Sequence, residues 1–535
     1  MMEEHNDQFM TLRVGIFFDG TDDNTYSAKW GKQQLDKYES TWQQLYQKDE
    51  HCPGDYSQAQ VNKFKVKELS TSCFERPDDV QGSSANNEIT NIEKLYELYP
   101  NMQVNDELST YYLSEYITGI GTGNSQQIEK ADEYLVSKSF GEGRFGVTDK
   151  ATYALGQLAS DCREIAEQFA NMSVKSFNCI QLDVFGFSRG AAAARHLINQ
   201  LCAAGDNELK TQFTQLFESL NHEFNQPFDF DLSNPSSVQI TFAGLFDTVA
   251  AIVDLKDFDF SAHNNDNGNI KLWLNPERVL CAVHLTANDH IEYRNNFSLN
   301  RLNDCEHFYE FIGPGAHSDI GGGYFSLCSY ANPNYLLPRM EKQLIKRIDE
   351  QVSEDIAEIQ KQRIAEKLAK VLVDEQEMGW NELDYEQQVE QKKLADGKQH
   401  FIGELSINRV VEGDLSRLYL RIMFGLACCY GVPLSEIKDD QIVWELSDYQ
   451  VCDNLMTRDG SGTGNSFKSL CDELLTLAKA GDRQSLQAQL ESDELKAQLM
   501  ALALIHHSSS NSPANQPHIQ RDDYQRSRYT TSMAQ

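Results

Sequence analysis

The chain has 535 residues, which is more than one ordinary domain needs and enough for a large hydrophobic core. Its formal net charge of −34 argues against nucleic-acid binding and against electrostatic attraction to anionic membranes. All apolar runs are shorter than the about 18 residues that a membrane-spanning helix requires. The 12 cysteines are scattered without a Cys-x-x-Cys pair, which predicts reduced thiols and neither a disulfide framework nor a zinc site.

The predicted elements alternate between strands and helices as far as residue 312. Apolar, β-branched and aromatic runs predict strands at 12–18, 111–120, 177–185, 238–246 and 308–312, with 279–284 a strand or the start of a helix. Helical patterns cover 89–99 and 148–170. The polar stretch from about 25 to 88 is predicted to be an insertion. This alternation favours an α/β fold with a mainly parallel sheet flanked by helices.

The character of the sequence changes after Pro338. Apolar residues recur about every fourth position over 340–374, which predicts one long amphipathic helix. A buried apolar helix is predicted over 415–430, and helical patterns resume over 466–505. We therefore expect an α/β domain over residues 1–335, a mostly helical cap or C-terminal region over 336–507, and a polar tail over 508–535.

The segment Gly186-Phe187-Ser188-Arg189-Gly190 follows an apolar strand and precedes an alanine-rich helix. This Gly-x-Ser-x-Gly pattern is typical of the nucleophile elbow of α/β hydrolases, a sharp turn that lifts a strained serine above the sheet edge. Glycines are required at 186 and 190 because a Cβ there would collide with the crossing strand and helix. The pattern predicts Ser188 as a nucleophile and residues 1–335 as an α/β-hydrolase catalytic domain. The alternative is a purely structural turn.

A serine hydroxyl needs a histidine base, which a carboxylate in turn orients. In α/β hydrolases the acid and then the histidine follow the serine along the chain, each after a strand. Asp247 follows the predicted strand 238–246, and His317 lies in a glycine-rich loop after 308–312. Alternatives are a capping role for Asp247, a bracing role for His317, and the rivals Asp254, His196, His284 and the His506-His507 pair. For Asp319 we favour a turn-forming role over support of His317.

An oxyanion hole requires two backbone N–H groups. The sequence predicts that one belongs to Arg189, directly after the nucleophile, and that the other belongs to Gly20, after the first strand. The alternative for Gly20 is an ordinary tight turn. A Gly-x-Gly-x-x-Gly match at 141–146 lacks a convincing strand before it, so we predict no cofactor, and no motif predicts a metal.

Several motifs together resemble one family. They are Phe-Phe-Asp-Gly-Thr at 17–21, Thr-Asn at 90–91, Gly-Ile-Gly-Thr-Gly at 119–123, Gly-Phe-Ser-Arg-Gly-Ala at 186–191, Gly-Leu-Phe-Asp-Thr-Val at 244–249, Pro-Gly-Ala-His-Ser-Asp-Ile-Gly-Gly-Gly-Tyr at 314–324 and Ile-His-His-Ser-Ser at 505–509. In order, they resemble the phospholipase effectors of bacterial type VI secretion, specifically the first family of type VI lipase effectors. The resemblance implies that Ser188, Asp247 and His317 form a catalytic triad.

The resemblance also implies hydrolysis of acyl ester bonds in glycerophospholipids and partners that include a secretion-spike protein and an immunity protein. It implies delivery into a rival bacterium's periplasm. The acidic N-terminus has no apolar signal-peptide region, so we expect synthesis in the cytoplasm, in agreement with such export. The prediction is a phospholipase A type serine esterase. The alternatives are a cytoplasmic esterase or thioesterase with a soluble substrate, and a non-catalytic binding protein on a hydrolase fold.

Overall fold

The structure is a computed structural model. It describes residues 8–21, 23–29, 87–107, 109–123, 145–169, 174–222, 230–250, 267–324, 340–411, 413–436, 464–512, 515–517 and 525–533. Most of the predicted insertion at 25–88 lies outside these residues, as do Asp254 and most of the 141–146 motif.

The described strands fall into three sheets. They are β1 (Gln8–Phe18), β2 (Gln103–Val104), β3 (Thr110–Ile117), β4 (Val174–Phe187), β5 (Val238–Phe246), β6 (Ala282–Ala287), β7 (Leu299–Arg301), β8 (Phe308–Gly313), β9 (Met340–Val352), β10 (Tyr385–Lys393), β11 (Gln399–Val410) and β12 (Arg528–Thr530). Seven form one sheet in the order β2-β3-β1-β4-β5-β6-β8, and all its pairs are parallel except β2 with β3. This sheet confirms the predicted α/β fold with a mainly parallel sheet.

The helices cover both faces of this sheet and continue beyond residue 336. They are α1 (Asn91–Leu98), α2 (Val147–Phe169), α3 (Arg189–Cys202), α4 (Glu208–His222), α5 (His317–Gly321), α6 (Ala357–Glu377), α7 (Leu415–Cys429), α8 (Gly464–Ala480), α9 (Arg483–Leu490) and α10 (Asp493–Ala501). None of the helices in the described ranges has the length and apolar character needed to cross a bilayer.

Strand β1 shows how the large sheet forms two cores. Successive side chains of a strand point to opposite faces. Val14 and Ile16 therefore pack with helices α2, α3 and α4 on one face, while Phe17 packs with α1, α7 and α8 on the other. Because both faces are covered, the strands of this sheet are apolar along most of their length, which is the pattern from which the sequence predicted them.

Helix α7 belongs to the covering layer of the large sheet, although it lies beyond residue 336. Its Arg417 donates to Glu88 at 2.9 Å, and Lys94 of α1 lies 3.1 Å from the same carboxylate. The Asn91 side chain donates to the carbonyls of Ser416 at 2.9 Å and Ile320 at 3.0 Å. These buried charges are paired, as burial requires. The predicted region 336–507 therefore supplies part of the main core.

The prediction of a single helix over 340–374 is wrong for its first half. Residues 340–352 form β9, which pairs antiparallel with β11 in the three-stranded sheet β10-β11-β9, and only α6 is helical. Ile348 and Val352 pack towards α6, and Glu350 between them binds Lys367 of α6 at 2.8 Å. Because Glu350, a charged residue, occupies the inward position between Ile348 and Val352, apolar residues recur at every fourth position. This is the spacing typical of a helix, whereas a strand with one buried face has an apolar residue at every second position.

The structure also refines other predicted boundaries. The candidate at 279–284 is a strand that begins at Ala282, and the helical pattern at 466–505 is divided into α8, α9 and α10. Within the predicted polar tail, residues 525–533 pack onto the protein, and β12 pairs in parallel with β7. We call residues 525–533 the 525–533 segment.

Candidate active site

Ser188 lies at the turn between β4 and α3 and has the strained backbone that a nucleophile elbow predicts. Its φ is 56° and its ψ is −126°, a combination that non-glycine residues rarely adopt. Its N–H donates to the carbonyl of Phe246 at 3.0 Å, so the surrounding strands hold the turn in place. The sharp turn is therefore built into the end of the large sheet, beside the end of β5.

The two glycines of the elbow allow backbone segments to approach closely. A Cβ built on Gly186 would lie 2.6 Å from Cα of Ala191, and one on Gly190 would lie 2.2 Å from the carbonyl oxygen of Asp19. Both distances are far shorter than van der Waals contact, so a side chain at either position would displace backbone. The elbow helix therefore begins directly against the end of β1.

The structure brings Asp247 and His317 together at the same end of the sheet. Asp247 directly follows β5 and has a positive φ of 41°, while His317 is the first residue of α5. Asp247 Oδ2 and His317 Nδ1 are 2.5 Å apart. The His317 ring centroid lies 4.7 Å from that of Phe187, the residue before Ser188. All three predicted residues therefore occupy one small, buried region.

The electrostatics of this pair suit a base held by an ionised acid. Burial alone would raise the pKa of Asp247, but the positive charge of Arg526 and the contact with His317 outweigh it and hold that pKa well below its usual range. Burial lowers the pKa of His317 below 6.5, although Asp247 opposes this shift. The backbone N–H of His317 donates to Glu292 at 3.0 Å. At neutral pH the imidazole is therefore mostly neutral and able to accept a proton.

Arg526 is a site residue that sequence reasoning missed. Its two terminal nitrogens contact the two oxygens of Asp247 at 2.6 Å and 2.8 Å, and both side chains are fully buried. The N–H of Ala287 donates to Asp247 Oδ1 at 3.0 Å. An arginine in this polar stretch carries no periodic or motif signal, so its contact with Asp247 could not be predicted from the sequence.

Asp319 caps the turn at the start of α5, as favoured, and also binds a second histidine. Its Oδ2 accepts the N–H of Ala316 at 2.9 Å, and its Oδ1 lies 2.7 Å from His506 Nδ1. The His506 ring stacks on Tyr324, with centroids 3.7 Å apart. The loop that carries His317 is therefore tied to residues far along the chain.

The other rival histidines each contact groups other than the Asp247 side chain. His284 accepts the N–H of Thr248 at 3.0 Å and lies 3.2 Å from Glu310, while His196 accepts the N–H of Lys271 at 3.0 Å. The remaining rival forms its own carboxylate pair, because His507 Nε2 lies 2.6 Å from Glu375. These contacts account for the rivals as structural groups.

Gly20 lies beside the elbow, but its N–H already has an acceptor. A Cβ on Gly20 would lie 2.5 Å from the Phe187 ring, which places the glycine next to the residue preceding Ser188. Its N–H donates to Asp19 Oδ1 at 2.8 Å. Burial raises the pKa of Asp19 to about 6, although hydrogen bonds from Thr90 and Tyr116 oppose the shift. The oxyanion-hole role of Arg189 and Gly20 therefore stays a prediction.

Within the described parts of the chain, no group of three or more His, Cys, Asp or Glu residues is arranged to hold a metal ion. Eight cysteines in those parts are free thiols: Cys162, Cys179, Cys202, Cys281, Cys305, Cys428, Cys429 and Cys471.

The parallel sheet with a strained serine at the strand-to-helix turn is the arrangement of the α/β-hydrolase fold. The family model described as "T6SS, Phospholipase effector Tle1-like, catalytic domain" matches residues 78–336. This stretch of the chain is therefore similar to the catalytic domain of the Tle1-like phospholipase effectors of type VI secretion, in agreement with the resemblance found in the sequence.

One solved structure supports the fold. The chain is similar to the Tle1 effector in "Structure of the Tle1 effector bound to the VgrG spike from the Type 6 secretion system", with a TM-score of 0.63, 22% identity, and coverage of 98% of this chain and 94% of that chain. A second similar structure is "Crystal structure of an uncharacterized protein from Pseudomonas aeruginosa", with a TM-score of 0.32, 13% identity, and coverage of 88% and 53%. A search of curated proteins finds no match.

Proposed function

We propose that this protein is a serine esterase that hydrolyses acyl ester bonds of glycerophospholipids, an activity of the phospholipase A type. The observation that carries the proposal is the 2.5 Å contact between His317 Nδ1 and Asp247 Oδ2 beside the strained elbow of Ser188. All three residues lie within the stretch that matches the phospholipase effector family.

The proposed reaction proceeds through an acyl-enzyme. Ser188 Oγ attacks the ester carbonyl while His317 Nε2 takes the hydroxyl proton, and Asp247 accepts the Nδ1 proton in a hydrogen bond. The tetrahedral intermediate collapses, His317 returns the proton to the leaving oxygen, and the lysophospholipid departs. Water then attacks the acyl-enzyme by the same route, which releases the fatty acid and restores the serine.

The proposed oxyanion hole consists of the N–H groups of Arg189 and Gly20. In this structure the Gly20 N–H donates to Asp19, so it would have to exchange that carboxylate for the developing oxyanion. The closeness of Gly20 to Phe187 supports the assignment, because the loop already lies against the elbow.

The proposed biological setting is antibacterial. The family description names type VI secretion, and the similar Tle1 structure contains a VgrG spike. We extend this setting to delivery on a spike protein, action on phospholipids in the periplasm of the target cell, and a cognate immunity protein in the producer.

The first test incubates the wild type and Ser188→Ala with phosphatidylethanolamine vesicles and measures free fatty acid and lysolipid. We expect Ser188→Ala to lose at least about 10⁴-fold in kcat, because the nucleophile is removed. Ser176→Ala is the matched control, since it removes another buried hydroxyl from the start of the same strand and should keep nearly full activity.

Two outcomes would contradict the proposal. Lipid hydrolysis by Ser188→Ala at the wild-type rate would remove Ser188 from the mechanism. Cleavage of a soluble short-chain ester by the wild type, with no release from vesicles, would keep the nucleophile and replace the phospholipid with a soluble substrate.

A further inference from the structure

Arg526, which lies 279 residues further along the chain, binds both oxygens of the Asp247 carboxylate. The two contacts, at 2.6 Å and 2.8 Å, are parallel and bidentate, the geometry in which arginine fixes a carboxylate most firmly. Because Asp247 Oδ2 contacts both Arg526 and His317 Nδ1, the arginine fixes the very oxygen that orients the imidazole.

The 525–533 segment that carries Arg526 is anchored at several points around the site. Strand β12 pairs with β7 from Arg528 to Thr530. Arg195, on the elbow helix α3, donates to the hydroxyl of Thr531 at 2.8 Å. Arg526 also donates through Nε to the carbonyl of Phe297, whose ring packs 4.9 Å from the His317 ring. The segment therefore links helix α3, which follows Ser188, to Asp247 and to Phe297, whose ring packs against His317.

We infer that Arg526 is a positioning residue for the esterase reaction, and that the 525–533 segment completes the site by holding the Asp247 carboxylate in register with His317. This inference rests on the proposed function. A carboxylate held at both oxygens keeps the Nδ1 proton on the side of Asp247, which leaves Nε2 of His317 directed to accept the proton of Ser188. Without the guanidinium, the carboxylate can rotate and the imidazole loses its fixed orientation.

The charge of Arg526 has a second, separable effect. A cation next to the Asp–His pair disfavours the imidazolium, so its removal should raise the pKa of His317 and move the acid limb of kcat/KM to higher pH. Other charged or titratable groups that act on Asp247, His317 or Arg526 are Glu292, Arg294, Asp289, His284 and Tyr419. These groups are all present in the variants of Arg526, so a change in the pH midpoint of the acid limb of kcat/KM reports on Arg526.

The test measures pH profiles of kcat/KM, with thermal melting, for Arg526→Ala, Arg526→Lys and the control Arg528→Ala. Arg528 lies on the same segment and pairs with Asp289 rather than with Asp247. Its variant should retain the wild-type kcat, and its acid limb should move less than that of Arg526→Ala because its charge acts on the site through Asp289. We expect Arg526→Ala to lose on the order of 10²-fold in kcat, as misplacement of a catalytic group does, with its acid limb moved upward. Arg526→Lys keeps the positive charge but not the planar guanidinium that binds both oxygens, so its kcat should fall while the acid limb of kcat/KM stays at the wild-type pH.

Added guanidinium ion provides an independent readout. It should restore part of the activity of Arg526→Ala and leave Arg528→Ala unchanged, because only the former has a cavity of guanidinium shape beside Asp247. If Arg526→Ala does not fold, the kcat loss and retained limb of Arg526→Lys still test the inference.

The inference is overturned if Arg526→Lys retains wild-type kcat, or if Arg526→Ala matches Arg528→Ala in kcat and acid limb. It is also overturned if Arg526→Ala loses activity with an unshifted limb and no rescue, which is the pattern of a merely structural role. Wild-type activity in Ser188→Ala would instead contradict the proposed function, so the two failures are distinguishable.

Discussion

The two larger sheets of this protein are stabilised in different ways. The seven-stranded sheet has an extensive apolar core on each face, and Ser188, Asp247 and His317 lie at one of its ends. The three-stranded sheet packs against α6 through a small cluster of five buried residues, Ala357, Ile364, Leu368, Phe401 and Leu405. Charged pairs such as Arg347 with Glu404 cover its exposed side.

The large sheet sets the geometry of the candidate site, whereas the small sheet contributes only local stability. The candidate site depends on backbone contacts between β1, β4 and β5, where a displacement of less than 1 Å would alter its geometry. The small sheet has few buried contacts and no part in those distances, so it should open at a lower free energy than the large sheet. Substitutions in the two regions should therefore differ in kind.

The largest expected effect is that of Phe187→Ala in the large sheet. The ring contacts His317 and fills the space beside Gly20 and Gly321, so its loss should cost about 3–5 kcal/mol of unfolding free energy and also reduce kcat. Phe213→Ala is the matched control, because Phe213 is equally buried but packs against Phe217 on the opposite face. Equal kcat values for the two variants would contradict this role of Phe187.

A smaller effect is expected from Leu368→Ala in the small sheet. Removal of this buried side chain should cost about 2–5 kcal/mol locally and leave kcat unchanged. Hydrogen exchange should accelerate in β9, β10 and β11 and stay slow in β4. Accelerated exchange in β4 would show that the two sheets unfold together and would remove the distinction.

The smallest effect concerns pH. The proposed reaction needs a neutral His317, whose pKa burial lowers below 6.5, so the acid limb of kcat/KM should have its midpoint below that value. Activity is then lost as pH falls through the lowered pKa. Leu368→Ala should give a superimposable profile, because it leaves the groups around His317 in place. A wild-type midpoint above 6.5 would contradict this prediction, since the contact with Asp247 would then outweigh burial in setting the pKa of His317.

The same contrast explains which features the sequence predicted. The strands of the large sheet are continuous apolar runs, and Ser188, Asp247 and His317 each follow such a strand in the order that the fold requires. Their close approach could be predicted because parallel strands bring their carboxyl ends to one edge of the sheet.

Two features could not be predicted. Glu350 occupies an inward position of β9, and its partner Lys367 becomes apparent only once α6 is packed against the strand. Arg526 belongs to no sequence motif or periodic pattern, and its partner Asp247 lies 279 residues away. Arg526 and Asp247 are both buried, and their charges are compatible with the fold because each faces a distant opposite charge. Local periodicity holds no information about the partner of either Arg526 or Glu350.

The position of β1 limits where the catalytic unit can be cut. Residues 78–336, the stretch that matches the family model, exclude this strand, which pairs with β3 on one side and β4 on the other. A fragment with those bounds would have two exposed strand edges in the middle of its sheet, and Asp183 would lose Arg13, which contacts it at 2.7 Å. A grafted or shortened enzyme would therefore need β1 supplied with it, even though that strand contributes neither nucleophile, acid nor base.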